Sequence, residues 1–491
     1  MGKEPDQRGG KEMRSRIIGR AEECGRLEDC LLADTSQLIV VYGRRRVGKT
    51  FLINEFFEER LAFRLTGSFN ENTSFQLSNF TREISRKSGE KKAEPKDWPE
   101  AFEMLRDYLE SLPKQEKHVI FFDEMPWLDT ERASFMPAFE WFWNDWASTQ
   151  HHLVFVVCGS ATSWMLENFI NNKGGLFSRQ TCRLYLKPWS LAETEAFLES
   201  RGIRWSRYEI AECYMIMGGI PYYLSLLSNK KSMSQNIDFL FFRDRGELWD
   251  EFDHLYRTLF TNSANHVKVV EALSRKKGGM SRNELIQATK LPSNGAFTKI
   301  LNDLIASGFV RISLFYQQKK KDALYQLSDY YTAFYFHFLK DREGHDEHYW
   351  QNAIDLPSRR SWTGLTFEQV CKDHIAQIKK KLGIAGVLSD ESVWYTNGDA
   401  ELGISGAQID LLIHRRDRVV HLCEMNFSIH EYLIDKAYEQ TLREKVGAFR
   451  EITKCRESVF VTMITTYGVA RNQHSYLIQS QVTLDDLFSG N

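Results

Sequence analysis

Short apolar runs recur through the first 190 residues, and each gives way to a polar stretch of helical period. Leu38-Ile39-Val40-Val41-Tyr42, Leu61-Ala62-Phe63-Arg64-Leu65, Val119-Ile120-Phe121-Phe122 and Leu153-Val154-Phe155-Val156-Val157 are rich in β-branched and aromatic residues. Runs of this kind form strands buried on both faces. Between them, residues 73–112 are polar and helical in pattern, with a Lys/Glu-rich stretch at 86–96 that reads as a solvated loop. Residues 135–146 place Phe139, Phe142, Trp143 and Trp146 at helical spacing, a stripe that faces a core. Strands alternating with helices predict an α/β fold with a parallel sheet whose ligand lies along the strands' C-terminal edge.

The pattern changes twice more. From Ser190 to about Asp253 it is wholly helical, broken at Met217-Gly218-Gly219-Ile220-Pro221. Residues 265–340 then read as three helices and two strands. The first helix carries Val267, Val270, Ala272 and Leu273, the second opens on Ser281 with Glu284 three residues later, and the third runs over 293–307. Ser281 and Glu284 have capping-box spacing. Strands at 309–315 and 323–327 are joined through Gln318-Lys319-Lys320-Lys321. Three helices and a two-stranded wing make a winged helix-turn-helix. Lys299 and the wing lysines suit phosphate contact, whereas Asp303 on the third helix opposes it. After a polar connector at 341–360, a helix begins at Gly364-Leu365-Thr366-Phe367-Glu368, and strands at 406–413 and 419–426 form a hairpin.

Composition narrows the picture. The 491 residues allow about three domains. The 64 basic and 66 acidic residues nearly cancel, so any nucleic-acid contact must rest on local patches. Eight scattered cysteines never form C-x-x-C, which argues against disulfides or a zinc knuckle and for a reducing compartment. The opening residues lack an apolar targeting segment, and no apolar run reaches membrane-spanning length. A cytoplasmic protein without a membrane partner is expected.

The strongest chemical signal is Gly43-Arg44-Arg45-Arg46-Val47-Gly48-Lys49-Thr50, which fits G-x-x-x-x-G-K-[ST] between an apolar strand and a helix start at Phe51. Glycine permits the close turn, backbone N–H groups face phosphate, Lys49 reaches the β/γ oxygens, and the Thr50 hydroxyl suits Mg²⁺. About 70 residues on, the strand His118–Phe122 ends in Asp123-Glu124. There Asp123 would bind Mg²⁺ and Glu124 would polarise the attacking water. Ser160, at the end of the next strand, is placed to sense a terminal phosphate. Arg179 is a candidate for transition-state charge, in its own site or, within an oligomer, in a neighbour's. Gly19-Arg20 leads, through a strand-turn-helix entry, into a helix positioned to lie over the adenine, and Pro221 begins a segment suited to packing against the base.

Gly19-Arg20, the phosphate loop, Phe122-Asp123-Glu124, Cys158-Gly159-Ser160 and Gly218-Gly219-Ile220-Pro221 together resemble the archaeal-type ATPase family, among the AAA/signal-transduction P-loop ATPases. The resemblance covers residues 16 to about 260. It implies ATP and Mg²⁺ as cofactors and an ASCE-type P-loop core at 16–189 under a helical lid at 190–262. A loose tail at 1–15, the winged helix at 263–340 and the connector at 341–360 complete the chain up to a last domain at 361–491. That domain resembles the PD-(D/E)xK, or restriction-endonuclease-like, core over 364–450. By that resemblance Asp410 and Glu424 would hold a metal, Glu368 would support them, and a lysine two residues after Glu424 would activate water. Asn426 stands at that place, and Lys436 on the following helix is the candidate substitute. Two outputs fit: ATP-gated binding or cleavage of double-stranded DNA, or a regulatory switch in which an inactive nuclease-like domain binds protein partners.

Overall fold

A computed structural model describes residues 16–490 apart from 132, 172–173, 177, 261, 277, 319–322, 343–345 and 402–403. The expected tail at 1–15 and the wing lysines 319–321 lie outside the described residues. The described residues form two compact units, one within 16–188 and 255–260, the other within 189–254 and 262–490.

In the first unit the apolar runs become β1 (Gln37–Tyr42), β2 (Leu61–Thr66), β3 (His118–Asp123) and β4 (Leu153–Gly159), joined by β5 (Cys182–Tyr185). All pairings are parallel, in the order β2-β3-β4-β1-β5. The sheet therefore matches the α/β expectation. Tyr42 pairs with Gly159 and Phe122 with Val157, so the loops leaving β1, β3 and β4 gather along one edge. The expected entry strand at Ile17-Ile18 does not form. The chain instead turns through Gly19 (φ 67°) and Arg20 (φ 59°) directly into α1 (Ala21–Leu32). Helix α2 (Lys49–Phe57) follows the glycine loop.

Helices α3 (Thr73–Ser88) and α4 (Trp98–Glu110) start at Asn72 and Asp97, whose side chains cap the N–H groups three residues on. With α5 (Phe135–Asp145) they cover one face of the sheet. Trp98, Phe102, Phe122, Phe135, Phe139 and Phe142 form its aromatic core, with Trp98 and Phe135 edge-to-face at 4.7 Å. Full burial of each such ring contributes about 2 kcal/mol relative to exposure.

In the second unit, α6 (Leu191–Ser200) and α7 (Arg207–Met217) begin with capping boxes at Ser190 and Ser206. Helix α7 ends at Gly218 and Gly219, both of positive φ; a Cβ on Gly219 would fall 2.2 Å from the Trp189 carbonyl oxygen. Pro221 then starts α8 (Pro221–Ser225) at a position where its missing N–H costs nothing. Farther on lie α9 (Ser263–Ser274), α10 (Arg282–Thr289), capped by Ser281 and Glu284, and α11 (Gly295–Ala306). They precede an antiparallel ribbon of β6 (Val310–Ser313) and β7 (Leu324–Leu327).

Two boundaries differ from expectation. The helix expected from Gly364 begins at Pro357, giving α12 (Pro357–Asp373), because Pro357 occupies the first helical position and Gly364 sits mid-helix in open space. The connector at 341–360 is therefore partly helical. The terminal sheet has the order β12-β11-β10-β9-β8, from β8 (Ser389–Asp399), β9 (Ile404–Arg415), β10 (Val419–Asn426), β11 (Ser458–Thr465) and β12 (Ser480–Thr483). Strands β8, β9 and β10 are antiparallel neighbours, while β10, β11 and β12 run parallel, with α13 (Lys436–Thr453) crossing between β10 and β11. No helix among the described residues is long and apolar enough to cross a membrane.

Candidate functional site

The loop after β1 is shaped by backbone constraint. Gly43 has φ 140°, and a Cβ there would lie 2.4 Å from the Leu186 carbonyl oxygen; Gly48, at φ 88°, precedes the first residue of α2. Arg46, between them, also has positive φ. Val47 is buried and its carbonyl accepts from Arg20 Nη2 at 3.2 Å, while the same nitrogen donates to the Lys187 carbonyl at 2.7 Å. Arg20 is thus a brace between the loop and the chain leaving β5. Arg44 is buried, Arg45 lies over the Trp127 ring at 5.9 Å, and Phe51 is exposed.

Lys49 is buried, unusual for a lysine, and its ammonium is held in place. Its Nζ donates to the carbonyls of Gly43 (2.9 Å) and Arg44 (2.8 Å) and to Ser160 Oγ (3.0 Å). Thr50 Oγ1 lies 3.0 Å from both Asp123 carboxylate oxygens. A hydroxyl beside a carboxylate is a hard-oxygen donor pair of the kind that would suit Mg²⁺. Burial pushes the Asp123 carboxyl up, as does Glu124, against the pull of Thr50 and Arg64. Glu124 sits at φ 46° just past β3. Its carboxylate accepts from the Ser160 N–H at 3.0 Å and from Ser160 Oγ at 2.5 Å.

The structure therefore brings Lys49, Thr50, Asp123, Glu124 and Ser160 together. Arg179 is exposed, and its backbone N–H donates to the Leu176 carbonyl. Among the described hydrogen bonds and ion pairs, none joins it to those five. Pro221 belongs to the second unit, where it opens α8. Arg64 on β2, absent from every motif, reaches Asp123 at 3.4 Å. Only pairing of β2 with β3 reveals it.

In the second unit, a cleft of about 750 Å³ is lined by Glu368, Gln408, Asp410, Glu444, Lys445 and Glu451, among others. Burial first, then Asp410, pushes the Glu368 carboxyl up to about 8. Gln408 Nε2 donates to Asp410 Oδ1 at 2.6 Å. Burial also pushes Glu424 up, offset by Lys445. Lys445 Nζ spans both Glu424 oxygens at 2.8 and 2.9 Å, and Tyr438 OH donates to one of them at 3.3 Å. Asn426 touches Tyr438 OH. Lys436 is exposed at the first position of α13, so it is Lys445, farther along the same helix, that meets the acid. Among the described residues no three His, Cys, Asp or Glu side chains are grouped to hold a metal. Of the two acids expected to hold a metal, Glu424 meets Lys445 and Asp410 meets Gln408.

Residues 18–227 match the family described as an ATPase domain predominantly from Archaea. An uncharacterized protein of Methanocaldococcus jannaschii, MJECL04, is 25% identical over 371 residues, spanning 74% of this chain and 78% of its own. Among solved structures, the Walker-type ATPase PABY2304 of Pyrococcus abyssi aligns at 19% identity and a TM-score of 0.48, over 66% of this chain and 97% of that one. The ORC2 protein of Aeropyrum pernix, in ADPNP–ADP complexes, aligns at 13% identity and a TM-score of 0.42, over 73% and 96%. The family match over residues 18–227 covers the phosphate loop, Asp123, Glu124 and Ser160, so this segment is similar to ATPase domains of that predominantly archaeal family.

Proposed function

We propose that the first unit binds ATP with Mg²⁺ and hydrolyses it, and that the second unit delivers a DNA-directed output. The observation that carries the first half is the double contact of Thr50 with Asp123 beside the Lys49–Ser160–Glu124 chain. Lys49 would hold the β and γ phosphates, and Thr50 and Asp123 would hold the metal, which screens phosphate charge. Glu124 would orient a water and take its proton as the bond to the leaving diphosphate breaks. Ser160 would exchange its contact with Glu124 for the terminal phosphate.

For the second unit we read α9 to α11 with the β6–β7 ribbon as a winged helix, and residues 361–491 as a nuclease-like domain. The mixed sheet with α12 before it and α13 crossing it supports that reading. Lys445 takes the place, in charge, of the lysine that Asn426 replaces. Its clasp on Glu424 favours binding of DNA over cleavage, and it equally supports the second reading, a switch that engages protein partners. Duplex DNA raises ATP turnover under the first reading and leaves it unchanged under the second. Plasmid nicking in Mg²⁺ that disappears in Asp410→Ala would show that the cleft cleaves after all.

A further inference from the structure

Strand β2 pairs with β3 so that Arg64 is opposite Phe121 and Thr66 opposite Asp123. Side chains alternate along a strand, so Arg64 projects from the sheet face that carries Phe121 and Asp123. Its guanidinium lies over the Phe121 ring at 5.6 Å, and Nη2 stands 3.4 Å from Asp123 Oδ2. The Asp123 side chain is 3% exposed and that of Arg64 37%, so the carboxylate is buried while the arginine stays partly open to solvent. Thr50 Oγ1 contacts both oxygens of the same carboxylate and is the residue next to Lys49. One carboxylate thus separates an arginine of this chain from the end of the phosphate loop.

We propose that Arg64 is the arginine of the nucleotide site, acting within its own chain: it contacts the terminal phosphate of a bound nucleoside triphosphate and rests on Asp123 when that phosphate is absent. The inference rests on the ATP reading given above. A guanidinium carries five N–H donors, and only one is committed to Asp123 here. Once Asp123 is engaged by a metal nucleotide, its charge no longer holds Arg64. The neighbouring anion is then the terminal phosphate, which an arginine fork grips through two parallel hydrogen bonds. A diphosphate offers no such partner. Arg64 therefore discriminates triphosphate from diphosphate.

The test is equilibrium binding of fluorescent ADP and of a fluorescent non-hydrolysable ATP analogue to the full chain in Mg²⁺. Arg64→Ala should weaken the triphosphate about tenfold and leave the diphosphate within about twofold, since one charge-assisted contact is worth roughly that factor. Arg64→Lys should recover part of the loss by keeping the charge without the fork. If Arg64→Ala unfolds, as its thermal transition would show, Arg64→Gln is read in the same way. Wild type that binds both nucleotides, with both lost in Lys49→Ala, establishes the nucleotide reading independently. Given that result, a triphosphate affinity unchanged in the Arg64 variants overturns the inference and spares the ATP site. Loss of triphosphate affinity in Arg179→Ala but not in Arg64→Ala overturns it too. Wild type that binds neither nucleotide sinks the ATP reading, and the inference with it.

Discussion

Ser160 holds both carboxylate oxygens of Glu124, one through its backbone N–H and the other through its hydroxyl. The same hydroxyl accepts from Lys49, so it joins the Lys49 ammonium to the Glu124 carboxylate. A phosphate that draws Lys49 and the Ser160 proton to itself would loosen Glu124 at the moment a water must be gripped.

Removal of that hydroxyl should therefore affect chemistry more than binding. Ser160→Ala is expected to lower ATP turnover by about tenfold to a hundredfold, in the range of one lost charge-stabilising donor. Nucleotide affinity should change by no more than about threefold, because Lys49 and the loop amides remain. Turnover and equilibrium binding measured on one preparation separate the two effects.

The second unit contains a buried ion pair whose loss should be costly. Arg359 donates to Glu212 Oε1 through Nε (3.0 Å) and Nη2 (2.5 Å), and through Nη1 to the Trp350 carbonyl, while stacking 4.1 Å from the Trp350 ring. Both side chains are almost fully buried. Arg359→Ala strands the Glu212 carboxyl, which burial already pushes up, and should cost about 3–5 kcal/mol. Replacing both residues with methionine should recover much of that loss. Urea unfolding of the three proteins checks both statements.

His421 makes the second unit sensitive to acid. Burial first, and the neighbouring Arg415, hold its imidazole down at about 4, against 6.5 in the unfolded chain. Its Nδ1 lies 2.9 Å from Thr462 Oγ1. Between those two values the unfolded chain binds the extra proton, so stability rises with pH across this window. The contribution is complete above pH 6.5 and is lost as pH falls toward 4. Urea midpoints should decline over that window in wild type and more gently in His421→Gln.

Much of the first unit could be read from local pattern. The phosphate loop, Asp123-Glu124 and Ser160 each end an apolar run, and the parallel sheet sets those ends side by side as alternation implied. The contact of Arg64 with Asp123 could not be found this way, because it depends on which strand lies beside β3. Arg179, expected to meet transition-state charge, is exposed just before β5. In the second unit β8 and β12 are not legible in local pattern, since exposed polar residues interrupt β8 and only four residues form β12. Lys445 escaped for a related reason. Its partner Glu424 lies 21 residues away, and only the crossing of α13 brings them together. The helix start at Pro357 was masked by the polar residues around it.

The most direct test of the account is steady-state ATP turnover by wild type and Glu124→Gln, assayed side by side in Mg²⁺. The amide keeps the shape of the side chain and cannot take a proton from water. Turnover should fall by about a hundredfold or more, as loss of a general base does, while the ATP analogue still binds. Equal turnover by the two proteins would contradict the assignment of Glu124, and with it the catalytic site described here.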